Sequence, residues 1–335
     1  MISNKLTFLF FLCSVSFVFA QTLTGKVVDA TTKEPLETVS VYFDNTTIGT
    51  TTNESGEFSI DYTEAVQSVL VISYLGYEKV LISNYRNQSE LNIELKESVN
   101  QLDAVVIDTD DGMSREIKLR WFRNEFLGKS ENAKSCKILN EKDIKLRFNK
   151  REGVITAWSN TPILVRNKNL QYEISFDIID FEITLGSFNA RSVVYLGTSF
   201  YKDLNDKNKK KIVNARAKTY KGSIQHFMRA LYEKQLTEEG YIFGKEGYKV
   251  KPYDYFIISD TIDDFGTKTV SLKESRLGIF YNDIVESVIQ VSVDKFNVDK
   301  YGNYNPIPNV LFGGNMGKQR LADSLPLDYG LDLTN

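Results

Sequence analysis

Hydrophobic and polar positions follow two rhythms along this chain. From residue 22 to 97 the apolar runs are short, alternating or continuous, and turn residues separate them. They predict strands near 22–29, 38–44, 46–51, 57–61, 68–74, 77–83 and 90–96. In the second strand Val39, Val41 and Phe43 share one side, and Ser40 and Tyr42 the other. In the last, Leu91, Ile93 and Leu95 share one side. Asn53-Glu54-Ser55-Gly56 reads as a turn in which Gly56 takes positive φ. Seven short strands in so few residues predict an antiparallel β-sandwich.

The rhythm changes after a polar, acidic stretch, Asp108-Thr109-Asp110-Asp111-Gly112, which places a linker over 98–113. Ser114 is positioned to cap an amphipathic helix running to about Leu127. Its expected buried side carries Ile117, Trp121, Phe122 and Phe126, with Arg115, Lys118 and Arg123 outside and Trp121 as a core anchor. Residues 143–200 return to strands, some of them long (Gln171 to Leu185, Arg191 to Phe200). Residues 205–237 read as helical: Ile224, Phe227, Met228 and Leu231 form one apolar face, and Ser223 is the expected N-cap. Strands resume over 240–312, with turns at Asp263–Gly266 and Asp299–Gly302, and a short helix follows near 317–322. The fold class is therefore mainly β: a seven-stranded sandwich over 22–97, then a larger β-rich α+β domain over 114–335. The helical block argues against a transmembrane barrel in spite of the long strands.

Residues 1–20 read as a secretory signal peptide, with Lys5 ahead of an apolar run over 7–19 and Val18 and Ala20 preceding the cleavage point. Bulky Phe11 and Leu12 before Cys13 argue against a lipid anchor. Cleavage after Ala20 leaves Cys136 as a single thiol, unable to form an internal disulfide and expected to be a small buried hydrophobe. Of 335 residues, 42% are hydrophobic and 25% charged, the balance of a folded globular protein, and the net charge of -3 does not suit a nucleic-acid partner.

Within the sandwich, Leu23-Thr24-Gly25-Lys26-Val27-Val28-Asp29, Glu34-Pro35-Leu36, Gly49-Thr50-Thr51-Thr52-Asn53, Gly56, Phe58 and Tyr74-Leu75-Gly76-Tyr77 occur in an order and spacing that resembles the carboxypeptidase-regulatory-like domain. That resemblance implies a prealbumin-like sandwich acting as an accessory module at the N-terminus of an exported Gram-negative envelope protein. Gln101–Ile107 is similar to the segment that follows this module in TonB-dependent outer-membrane receptors, but the remaining residues do not suffice for their plug and barrel. Segments around Trp121–Gly128, Thr219–Leu231 and Arg320–Pro326 are similar to exported envelope proteins that pair the module with an uncharacterised domain. The family name does not bring an activity with it. Zinc carboxypeptidases need two histidines and a glutamate, and this chain has only His226, followed by Phe227, Met228 and Arg229.

His226 also limits acid–base catalysis; the helical wheel turns it away from the apolar face, toward the surface or a helix contact. Phe312–Gln319 looks like a phosphate loop but has Phe312 and Gln319 where glycine and a hydroxyl are required, and reads as a glycine-rich turn before a helix. Asp260, Asp263 and Asp264, and Asn297 with Asp299, fit hairpin turns better than calcium loops. The sharpest feature is a run of cations: Lys207, Lys209, Lys210, Lys211, Arg216, Lys218 and Lys221, with no acid among them. With Ile212, Val213, Ala217 and Tyr220 turned inward, these would form either a solvated face or a contact for an anionic partner. The expected protein is a non-enzymatic envelope binding or scaffolding module without a cofactor, whose partner is an envelope protein, a glycan or lipopolysaccharide. A hydrolase of periplasmic peptides or glycans, working through a carboxylate pair, remains the open alternative.

Overall fold

The computed structural model describes residues 21–62, 68–88, 90–98, 111–187, 190–205, 209–263, 266–282 and 285–331. Residues 1–20, expected to be a signal peptide, and most of the expected linker fall outside them. The sandwich is built from β1 (Gln21–Asp29), β2 (Ser40–Phe43), β3 (Gly49–Thr51), β4 (Glu57–Tyr62), β5 (Leu70–Ser73), β6 (Val80–Ile82) and β7 (Glu90–Leu95). One sheet has the order β4-β1-β7 and the other β3-β2-β5-β6. Alternation sends Val39, Val41 and Phe43, with Phe58, Ile60, Leu91, Ile93 and Leu95, into one buried core. Each such side chain contributes roughly 1.5–3 kcal/mol when fully buried. Gly56 takes φ of 74° as its turn requires. One pairing departs from the antiparallel expectation: β1 and β7 run parallel, because the chain crosses to the other sheet before β7 returns beside β1.

The second half starts with α1 (Arg115–Phe126) and α2 (Glu131–Ser135). These cover a sheet of β8 (Cys136–Ile138), β9 (Lys145–Asn149), β10 (Val154–Trp158), β11 (Ile163–Asn167), β12 (Tyr172–Leu185) and β13 (Ala190–Asp203). The sheet order is β8-β11-β12-β10-β9, and β13 pairs along the full length of β12. Phe122, Phe126, Ile155, Val165, Ile174 and Phe181 fill the core between helix and sheet, and Trp121 packs on its margin. Ser114 caps α1 by accepting from the Ile117 N–H. The helix is rotated from the expected setting. Ile117 is exposed, whereas Lys118 is only 2% exposed and places Nζ 2.6 Å from Asp111 Oδ2. Pairing with the half-buried Asp111 drew the lysine in, which hydrophobic patterning could not show. Cys136 is partly buried, and burial pushes its thiol up to about 12.

Two helices follow, α3 (Lys210–Tyr220) and α4 (Ile224–Tyr232), the latter capped by Ser223 as expected. Phe227, Met228 and Leu231 of α4 enter a second core. It is enclosed by β14 (Tyr241–Lys245), β15 (Tyr248–Val250), β16 (Phe256–Ile258), β17 (Thr267–Leu272), β18 (Arg276–Tyr281), β19 (Val285–Val291), β20 (Phe296–Asp299), β21 (Tyr304–Asn305) and β22 (Val310–Gly313). These strands form two sheets, β15-β14-β18-β19-β22 and β16-β17-β20-β21. A short α5 (Gly314–Gly317) and a 3-10 turn over Leu321–Asp323 return the chain to the first core. Among the described residues no helix is long and apolar enough to cross a membrane.

The sandwich is docked on this second half. Tyr42, on the outer side of β2, is buried against Phe200 of β13, with ring centroids 5.3 Å apart. The loop after β2 reaches the outer edge of β13: the Asn45 N–H donates to Ser199 O (2.7 Å), and the Tyr201 N–H donates to Thr46 O (3.0 Å). The Leu327 N–H donates to Asn45 O (2.7 Å), and Asp328 accepts from the Thr47 N–H and hydroxyl. Gly49 allows the approach; a Cβ there would sit 2.6 Å from the Phe200 ring.

Candidate functional site

The cationic run is sorted by the fold into different roles. Helix α3 departs in part from the expected setting: Ile212, Ala217 and Tyr220 are half-buried, but Val213 is exposed, and the residue the helix buries is Arg216. Its guanidinium grips Asp203 with two bonds (2.8 and 2.7 Å), donates to Leu170 O (2.8 Å) and Gln171 O (3.1 Å), and lies 3.8 Å from the Tyr172 ring centroid. Burial raises the Asp203 carboxyl, but the Arg216 bonds and the Asn205 N–H outweigh it and hold the group below the usual carboxylate range. Arg216 is therefore an anchor that fixes α3 to the ends of β12 and β13, and it leaves the expected ligand patch. Lys207 lies outside the described residues. Lys209, Lys210, Lys211, Lys218 and Lys221 are exposed.

Of these, Lys211, Lys218 and Lys221 line a cleft of about 720 Å³. Lys209 and Lys210 do not line it. The helical spacing of Lys211, Asn214 and Lys218 puts all three on one side of α3. The opposite wall comes from the approach to α2, Lys129 to Asn132, and from Asn315 to Gln319 around α5. Lys318 adds a further ammonium group there. Lys129 stands 3.9 Å from Glu125, but Lys211, Lys218, Lys221 and Lys318 have no carboxylate partner within 4 Å among the described residues. Like charges gathered in this way raise the local potential, and an anion entering the cleft relieves their repulsion.

Amides hold the floor. Asn132 is buried and donates to Thr219 Oγ1 (3.0 Å) and Asp323 Oδ1 (3.0 Å), while its own Oδ1 accepts from Asn169 (2.5 Å). Ser130 caps α2 and donates to the same Asp323 oxygen (2.7 Å). Asp323 is thus committed to the scaffold. Glu131, the other acid in the cleft, pairs with Lys134 and is held below the usual carboxylate range by it. Asn214 and Asn315 keep side chains without a hydrogen-bond partner among the described residues. Gly222 makes the junction between α3 and α4, with φ of 75° and the Tyr281 ring 2.9 Å from where a Cβ would stand. This junction aims Lys221 at the cleft. Lys129 was not among the sequence candidates, and Asn315 and Lys318 lie in the Phe312–Gln319 stretch that the sequence reads as a glycine-rich turn before a helix. Only tertiary folding brings these residues to α3.

The other candidates take structural places. His226 is buried, not at the surface, because the Tyr241 hydroxyl (2.9 Å) and the Gly222 N–H (3.1 Å) meet its Nδ1 and Glu239 (3.0 Å) meets Nε2. Burial pulls the imidazole below its ordinary pKa, although Glu239 opposes this. Tyr241 is itself buried, so no substrate reaches the Nδ1 side. Asp299 spends its oxygens on Tyr301 and Asn303 of its own turn, and exposed Asp260 pairs with Lys234. Phe312–Gln319 forms the end of β22 and α5.

None of the curated proteins matches this chain. Two solved structures share 11% identity with it: a candidate membrane-associated protein of unknown function from Bacteroides fragilis, with 83% of this chain and 92% of that one covered at a TM-score of 0.19, and a candidate carbohydrate-binding protein from Bacteroides uniformis, with 88% and 98% covered at 0.15. At those scores neither says anything about this fold or its ligand. The sandwich has a definite relation: residues 23–107 match the CarboxypepD_reg-like domain, the family whose resemblance runs from Leu23 to Tyr77.

Proposed function

We propose that the chain is a non-enzymatic exported envelope protein whose second half binds an anionic sugar in the α3 cleft, with the sandwich as a docked accessory module. The observation that carries this reading is the set of unpaired ammonium groups of Lys211, Lys218, Lys221 and Lys318 around one hollow. Lysine ammonium groups bind carboxylate or phosphate as point charges, and the free amides of Asn214 and Asn315 suit ring hydroxyls, donating and accepting at once. A uronate glycan and the phosphosugar of lipopolysaccharide share this chemistry. A hydrolase reading finds less support at the cleft: exposed Glu131 is paired with Lys134, and Asp323 is occupied by Ser130 and Asn132.

The test is titration of the protein with trigalacturonate and, separately, with vesicles containing lipid A. Binding that falls steeply with salt, and weakens about tenfold or more when Lys211, Lys218 and Lys221 are changed to glutamate, supports the reading. Lys209→Glu with Lys210→Glu should leave it unchanged. Loss of binding in that control alone, or no binding of either probe, rejects the cleft as the site.

A further inference from the structure

We infer that the cleft between the sandwich and the second half is a separate binding site for a neutral mono- or disaccharide. It measures about 360 Å³, at the lower end of the ~300–1,000 Å³ usual for small-molecule sites. Its two walls come from different parts of the chain. On the sandwich side, Ser40 lies opposite Thr51 of β3 and opposite Ser73 of β5, so three small hydroxyl residues form one row across the outer face. On the other side, Ser175 and Asp177 project from β12 with the i, i+2 spacing of one face, and Phe200 is the cross-strand partner of Ser175.

The chemistry of these walls selects the ligand class. The hydroxyls of Ser40, Thr51, Ser73 and Ser175 have no hydrogen-bond partner among the described residues. Each can donate and accept, as sugar hydroxyls do. Asp177 is fixed in place, with Oδ1 2.6 Å from Lys79 Nζ and Oδ2 3.3 Å from the Tyr42 hydroxyl. A carboxylate keeps further acceptor capacity when it is so paired. The Lys79–Asp177 pair cancels its own charge, so the cleft exerts no net pull on an anion, in contrast to the α3 cleft. Phe200 is half-buried and supplies the apolar surface that the carbon face of a sugar ring requires. An apolar ligand would bury the hydroxyl row without partners, and each stranded group would oppose its binding. Since both walls contribute, an occupant bridges the two halves of the protein.

Calorimetric titration of the intact protein with cellobiose, maltose and N,N′-diacetylchitobiose tests this. Saturable binding of at least one is expected, about tenfold weaker in Asp177→Asn and abolished in Thr51→Trp. Thr51 is exposed, so the indole fills the cleft without entering the core. Retention of the wild-type melting profile by Thr51→Trp shows that the fold is intact. Lys211→Glu with Lys218→Glu should leave disaccharide binding untouched, which separates this site from the α3 cleft. Absence of binding by all three sugars, persistence of binding in Thr51→Trp, or its loss in the lysine variant overturns the inference.

Discussion

The sandwich and the helices of the second half bury their interiors by different means. In the sandwich the inner positions are apolar, as in the alternation of Phe58, Ile60 and Tyr62 along β4. In the second half, α1 and α3 each turn a cation inward, Lys118 toward Asp111 and Arg216 toward Asp203. Removing an apolar side chain leaves a void, whereas removing one of these buried cations leaves an acid without its partner. The difference teaches that a run of basic residues is not one surface. Its members separate once an acid elsewhere in the sequence claims one of them.

The largest test of this contrast is Phe43→Ala, which opens a void in the sandwich core. It should destabilise that half by about 3–5 kcal/mol, seen as an early transition in calorimetry while the second half melts as before. A single shifted transition for the whole molecule would show that the docked halves unfold together. Next comes Arg216→Ala, which strands Leu170 O and Gln171 O and leaves Asp203 unpaired. A loss of about 1–3 kcal/mol in the second half is expected, with faster hydrogen exchange along α3. Arg216→Lys should recover little, since an ammonium cannot form the two-pronged bond.

The joint between the halves should respond to pH in the opposite sense to these anchors. Burial pushes the Asp44 carboxyl up to about 6, its N–H bonds from Ser199 and Asn45 notwithstanding. A raised carboxylate favours the docked state when protonated, so that contribution is full below the ordinary pKa near 4 and is lost as pH rises through about 6. Asp111 and Asp203 lie below the usual range, so their contribution is present above the ordinary value and is lost as pH falls through their lowered values. Exchange at the Ser199 and Tyr201 amides, corrected for intrinsic rates, should be slower at pH 5 than at pH 7.5, and Asp44→Asn should flatten the profile. The smallest effect on stability belongs to Lys209→Glu and Lys210→Glu, within about 0.5 kcal/mol each, because exposed charges cost little.

The strands of the sandwich are legible in the sequence because one face is packed, and a two-residue period then has a single solution, as Val39, Val41 and Phe43 show. The N-caps at Ser114 and Ser223 are legible for a similar reason, since the signal is local. Ile117 and Val213 are misplaced by the same reasoning, because what turns α1 and α3 is charge pairing with Asp111 and Asp203. The cleft is half legible. Lys211, Lys218 and Lys221 stand out as a run, but Lys129 and Lys318 join them only through the return of the chain past α5. The burial of Tyr42 was beyond reach, since its partners Asp177 and Phe200 come from strands far along the chain.

The clasp on the loop after β2 carries a consequence for the timing of assembly. Asp328 holds Thr47 across a separation of 281 positions. During synthesis the sandwich emerges before the second half and has its whole core within residues 23–95. Its seat on β13 is not complete until Leu327 and Asp328 have left the ribosome. For most of its synthesis the nascent chain therefore carries the sandwich segment on an open joint, and the two walls of the hydroxyl-lined cleft are locked together last.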